Sequence, residues 1–148
     1  MIMAWDKQDL IPQSEITDKV TEATVKFAQR FGSYLGTDDS FIDKKTGEKK
    51  SAQNKLTTNQ LRKFFGEVKR QQMSGYDVAD FVLLKPKLAY AVGRAKQKNS
   101  KIKDFYLVIS DAIDKVKNEQ QFKNFIKVFE AIVAYHKAAE ESKMSFND

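Results

Sequence analysis

The sequence predicts an all-α fold, a compact bundle of five or six helices, and three observations carry that reading. Apolar residues recur at spacings of three, four and seven along most of the 148 positions, the period of a single buried helix face. No alternating period of two lasts long enough for a sheet. Glycine and proline, six and two in number, are scarce. Eleven phenylalanines and five tyrosines supply the apolar surface for one real core, and the length suits a single helical domain over residues 1–140.

Taken in order, Ile16, Val20, Phe27, Phe31 and Leu35 read as one face of a first helix. Ser14 is its expected N-cap and Gly36 its stop. Residues 37–56 are polar, with Lys44, Lys45, Lys49 and Lys50 around Gly47, and are expected to form a long mobile loop. Thr57 and Gln60 then make a capping box for a helix that ends at Gly75. Its apolar stripe, Leu61, Phe64, Phe65 and Val68, falls within an arc of about 100°. Arg62 and Lys69 share one azimuth beside that arc and Lys63 and Arg70 the next, which puts four cations along one edge.

Asp77 to Leu84 reads as a short helix. Pro86 fits the first turn of the next, where its missing N–H costs nothing. That helix, read as Lys87 to Gln97, carries Ala89, Ala91, Val92, Gly93 and Ala95, small residues that predict close approach of a neighbour. Lys87, Tyr90, Arg94 and Gln97 or Lys98 share one of its faces. Two further helices are built on Ile102, Phe105, Ile109, Ala112, Ile113 and Val116, and on Phe122, Phe125, Ile126, Phe129, Ile132 and Val133. Residues 141–148 are expected to be a disordered tail. There is no internal repeat.

The charge sits in one place. Residues 57–99 hold nine Lys and Arg against three Asp and Glu, a net +6 that equals the formal charge of the whole chain. A basic middle on a balanced chain suits a polyanion surface; it also suits two well-solvated helix faces. Cations on adjacent helices can follow a phosphate backbone, releasing counterions at each contact. Tyr90 beside Arg94 offers a ring and a guanidinium plane for stacking on unpaired bases, or is simply a half-buried helix residue with its hydroxyl outward.

Catalysis finds little support. His136 is the sole histidine, which excludes two-histidine metal and acid–base sites within one chain, and it continues the Phe129–Ile132–Val133 packing face. The glycines are isolated, so no phosphate loop forms. Asp38, Asp39 and Asp43 lack the remaining ligands of a calcium loop and read as solvated. Asp111 and Asp114 beside Lys115 read as surface pairing. No catalytic residue, metal or cofactor is therefore expected. The absence of cysteine, of a signal-like start and of any run near the roughly 20 apolar residues that span a bilayer predicts a cytoplasmic protein without a membrane partner.

Three blocks carry a family resemblance: TTNQLRKFFGEVKR (Thr57–Arg70), LLKPKLAYAVGRAK (Leu83–Lys96) and FKNFIKVFEAIVAYHK (Phe122–Lys137). Together they resemble the small helical subunit of the type III-A CRISPR Csm effector complex, in the right order from about residue 57 to 138. The resemblance implies an all-helical subunit without a nuclease site, stacked in several copies along the guide RNA. It would touch the single-stranded target RNA, the other Csm subunits and further copies of itself, while cleavage belongs to other subunits. Matching the basic positions of the first two blocks points to Arg62, Lys63, Lys69, Arg70, Lys85, Lys87 and Arg94 as RNA contacts, with Tyr90 added from its own chemistry. The residues alone leave two alternatives open: a helical DNA-binding protein, and a pure protein-interaction bundle whose cations meet an acidic partner.

Overall fold

Seven helical segments and one two-stranded ribbon follow one another along the described residues of the computed structural model, which are 4–96 and 99–142. The helices are α1 (Gln13–Thr17), α2 (Glu22–Leu35), α3 (Thr58–Ser74), α4 (Val78–Val82), α5 (Leu84–Arg94), α6 (Ile102–Lys115) and α7 (Glu119–Ser142). The ribbon pairs β1 (Ser40–Ile42) with β2 (Lys49–Ser51). Since α1 and α4 are single turns, five longer helices build the predicted all-α bundle. The expected tail begins inside α7, whose last residues are Glu141 and Ser142; residues 143–148 lie outside the described residues.

α7 is the spine. It runs for 24 residues, about 36 Å at 1.5 Å per residue, and packs against α1, α2, α3 and α6. Its Phe122, Phe125, Ile126, Phe129 and Ile132 are all buried. Phe64 of α3 meets Phe129 edge-on at 5.7 Å and Phe105 of α6 at the same distance. Phe81 of α4 sits edge-on to Phe122 and Phe125 at 5.4 and 5.3 Å. Such edge-to-face pairs add to the area these rings bury.

The first helix is broken where the sequence reads as continuous. α1 ends at Thr17 and α2 begins at Glu22, with Thr21, not Ser14, as the N-cap. The cause is Glu15. Its buried carboxylate accepts from the backbone N–H and hydroxyl of both Thr21 and Thr24, satisfying the open first turn of α2. Burial works against that charge, but the four donors outweigh it and hold the Glu15 pKa below the ordinary carboxylate value. Asn124 of α7, 1% exposed, fixes the break by donating to Ile16 O at 2.9 Å and Asp18 O at 3.1 Å.

α5 does pack against α6 and α3, but the approach close enough to demand glycine occurs at α2. A Cβ on Gly32 would lie 2.7 Å from the Ile132 carbonyl oxygen, and one on Gly36 would lie 2.5 Å from that of His136. Gly36 does end α2, yet its φ of −87° suits any residue; contact with α7 is what demands glycine there. On α5, Gly93 has open space around it and Ala89 is exposed.

Within residues 37–56 the ribbon pairs Phe41 with Lys50 and Ile42 with Lys49, all exposed. Gly47, at φ +73°, closes the turn. The ribbon's base is anchored by a polar knot. Lys101, 2% exposed, donates to the Tyr34 and Thr37 carbonyls at 2.8 and 2.6 Å and pairs with Asp39 at 3.0 Å. The Tyr34 hydroxyl donates to Asp104 at 2.6 Å, and Asn54 exchanges two hydrogen bonds with Asp39.

Candidate functional site

α3 and α5 each bury one stripe and leave a groove between their outer edges. The Thr57–Gln60 capping box starts α3, so that Leu61, Phe64, Val68 and Gln71 turn inward. Pro86 falls in the first turn of α5, whose Leu84 and Leu88 are buried. The groove measures about 810 Å³. Phe64, Ala91, Ala95 and Ile102 line it with apolar surface, and Lys63, Lys87, Tyr90 and Arg94 stand along it. Asn59 and Gln60 add amides.

These wall residues are open to solvent. Tyr90 is 68% exposed, and the Arg94 guanidinium carbon stands 5.7 Å from its ring centroid. Lys63 and Arg94 have no carboxylate partner among the described residues. Glu67 also lines the groove and ties two nearby cations together. Its carboxylate accepts from Arg70 at 2.6 Å and Lys87 at 2.9 Å, and Gln71 adds a third donor at 3.3 Å. The Arg70 and Lys87 hydrogen bonds pull its pKa down to about 2.

Four predicted positions, Lys63, Lys87, Tyr90 and Arg94, therefore share one groove, and Arg70 joins them through Glu67. The other three lie elsewhere. Lys85 pairs with Asp114 of α6 at 2.6 Å, which raises the lysine's pKa. Lys69 turns to α7, meeting Glu130 at 3.3 Å over the Phe65 ring. Arg62, seven residues before Lys69 and on its azimuth, is exposed. The four α3 cations thus divide between two flanks instead of lining one edge, because the two azimuths are about 100° apart and neighbouring helices flank both. α5 runs from Leu84 and ends at Arg94, with Ala95 already extended, instead of running from Lys87 to Gln97; Gln97 and Lys98, expected to extend its face, lie outside the described residues.

Glu67, Asn59, Gln60, Phe64, Pro86, Ala91, Ala95 and Ile102 line the groove without having been predicted as site members. Glu67 was accessible to sequence reasoning, being four residues after Lys63 and three before Arg70 on the same helix. The remaining polar candidates are engaged in structure. His136, 1% exposed, meets the Leu56 carbonyl at 2.5 Å; a carbonyl only accepts, so Nε2 carries the proton. Glu140, one turn on, accepts from the Thr58 backbone N–H and hydroxyl at the start of α3. Asp38 accepts from Lys55 N, Asp39 belongs to the Lys101 knot, and Asp43 pairs with Lys50. Lys115 bonds Asp111, the surface pairing expected of that stretch. Among the described residues, no helix is long and apolar enough to cross a membrane.

The fold is a mostly helical bundle with a cationic groove lined in part by apolar side chains. Residues 40–142, well over half of the chain, match the family model described as Csm2 Type III-A. The chain belongs to that family, the small helical subunits of the type III-A CRISPR Csm complex, which associate with the other Csm subunits. No curated protein and no solved structure matches it.

Proposed function

We propose that this chain is a non-catalytic scaffold that holds RNA in the type III-A ribonucleoprotein, packing as repeated copies along the guide and target strands in the cytoplasm. One observation carries the reading: Lys63, Lys87 and Arg94 converge on a single groove inside the segment that holds the chain's net charge. Guide–target pairing reads the sequence, so a scaffold needs only backbone contacts, which lysine and arginine supply without base preference.

The proposed contact set is Arg62, Lys63, Lys69, Arg70, Lys85, Lys87, Tyr90 and Arg94. Its members differ in readiness. Arg62, Lys63 and Arg94 carry no carboxylate among the described residues and meet phosphate directly. Lys69, Arg70, Lys85 and Lys87 each exchange a carboxylate for phosphate, with smaller net gain.

Charge reversal tests the assignment. Arg62→Glu with Arg94→Glu should weaken target-RNA binding by the assembled complex while the circular dichroism spectrum stays helical. Unchanged binding at physiological salt would overturn the site.

A contact of another kind has its own support. Met73 is 89% exposed and Val78 60%, and Val82 and Leu83 are half exposed beside them in sequence. Exposed apolar residues concentrated around α4 suit packing against another Csm subunit or a second copy.

A further inference from the structure

The α3–α5 groove holds more than phosphate contacts require. A backbone track needs only cations, whereas this groove has an apolar floor of Phe64, Ala91, Ala95 and Ile102 and a volume of about 810 Å³. A ring that is 68% exposed stands at its side, backed by a guanidinium at 5.7 Å. Cationic rim, aromatic wall and apolar floor are together complementary to something anionic at one end and flat at the other. Paired bases in an A-form duplex are stacked and closed to such a groove; an unpaired nucleotide has a free face.

We infer that the groove receives one unpaired nucleotide of a single-stranded RNA, its base against Tyr90 and the apolar floor and its phosphates on Lys63 and Arg94. This rests on the RNA-contact reading above and adds a base-accepting subsite to it. Glu67 lines the same groove. Both its oxygens are taken by Arg70, so it keeps those donors in place and offers little to a base edge. The subsite is accordingly tolerant of base identity, since every base presents a π-face. Arg94 has two tasks in it, holding the phosphate and stiffening the tyrosine ring.

The test uses the full chain and an oligouridylate carrying a single 2-aminopurine, whose fluorescence is quenched on stacking. Wild-type protein and Tyr90→Phe should quench it alike. Tyr90→Ala should bind about tenfold more weakly, the scale of one base stack, and should not quench. Tyr90 is exposed, so loss of fold does not confound the variant; thermal melts should coincide.

A second probe separates the two levels of the argument. Suppose an oligomer with abasic sites throughout binds as tightly as the intact one and Tyr90→Ala makes no difference. The base subsite is then wrong, while salt-sensitive backbone binding survives. If wild-type protein binds no RNA, and an acidic peptide instead binds it in a manner lost with Lys63→Ala and Arg94→Ala, both readings fall together.

Discussion

Lys101 shows how one side chain can determine where elements meet. It joins the last turn of α2, the base of the ribbon and the first turn of α6 through two carbonyls, one carboxylate and a ring centroid 3.9 Å away. Burial pulls its pKa down and Asp39 opposes that pull. Because the folded chain holds this proton less tightly than the unfolded one, the group's contribution to stability rises with pH. The rise spans the window between its lowered value and the ordinary 10.5. Lys101→Met keeps the apolar stem but orphans the Tyr34 and Thr37 carbonyls, so denaturant titration should show a loss of about 1–3 kcal/mol. An unchanged midpoint would mean that those carbonyls find other donors. Glu67 gives the same sign in a lower window. With its pKa depressed to about 2 from the ordinary 4.5, its contribution is present above pH 4.5 and lost as pH falls toward 2. Carboxyl NMR should titrate it near 2 in wild type, and nearer 4.5 when Arg70 and Lys87 are both alanine.

Between elements, small residues matter by azimuth, not by number. Gly32 and Gly36 face α7 across the most extensive helix pair, while Gly93 faces open space. Gly32→Ala should therefore cost about 1–3 kcal/mol by overpacking. Gly93→Ala should stabilise α5 by about 0.5–1 kcal/mol, because alanine loses less entropy in a helix. Paired thermal melts decide it; equal effects of like sign would remove the distinction. This contrast also marks what the chain's pattern reveals. Periodicity located the buried faces of α2, α3, α6 and α7, and the Thr57–Gln60 box located the start of α3, since local spacing determines both. The break at 18–21 escaped because Val20 keeps helical spacing across it, while the cause is a long-range buried carboxylate, Glu15. The ribbon escaped because both strands are three residues long and wholly exposed, so no alternation betrays them. Counting alanines on α5 predicted a contact that only a known neighbour could have assigned. The site was legible as residue types; its pairings, such as Lys85 with Asp114, depend on how α5 meets α6.

At the scale of the molecule, the decisive quantity is how many cations remain free to release counterions. Residues 57–99 carry the chain's whole net +6, but that charge is divided by the fold. Lys63 and Arg94 line the groove with no carboxylate partner among the described residues; Lys87 lines it but is tied to Glu67, and Lys69 and Lys85 lie outside it, tied to Glu130 and Asp114. Net charge alone predicts that any of these lysines matters equally to a polyanion. The groove reading predicts otherwise. For single strands the salt dependence of log K falls by about 0.7 for each phosphate that is no longer neutralised. Lys63→Ala and Arg94→Ala together, which remove the two groove cations without a carboxylate partner among the described residues, should flatten the slope of log K against log salt by about 1.4, measured on single-stranded RNA. Lys69→Ala with Lys85→Ala should change it by well under 1, since each alanine removes a cation already neutralised by its own carboxylate. The two variants remove comparable charge, so general electrostatics would flatten both slopes in proportion to the number removed. A difference between them locates the bound strand on the α3–α5 groove. Equal flattening per lysine would mean that the strand follows the outer surface of the basic segment, across the α6 and α7 flanks.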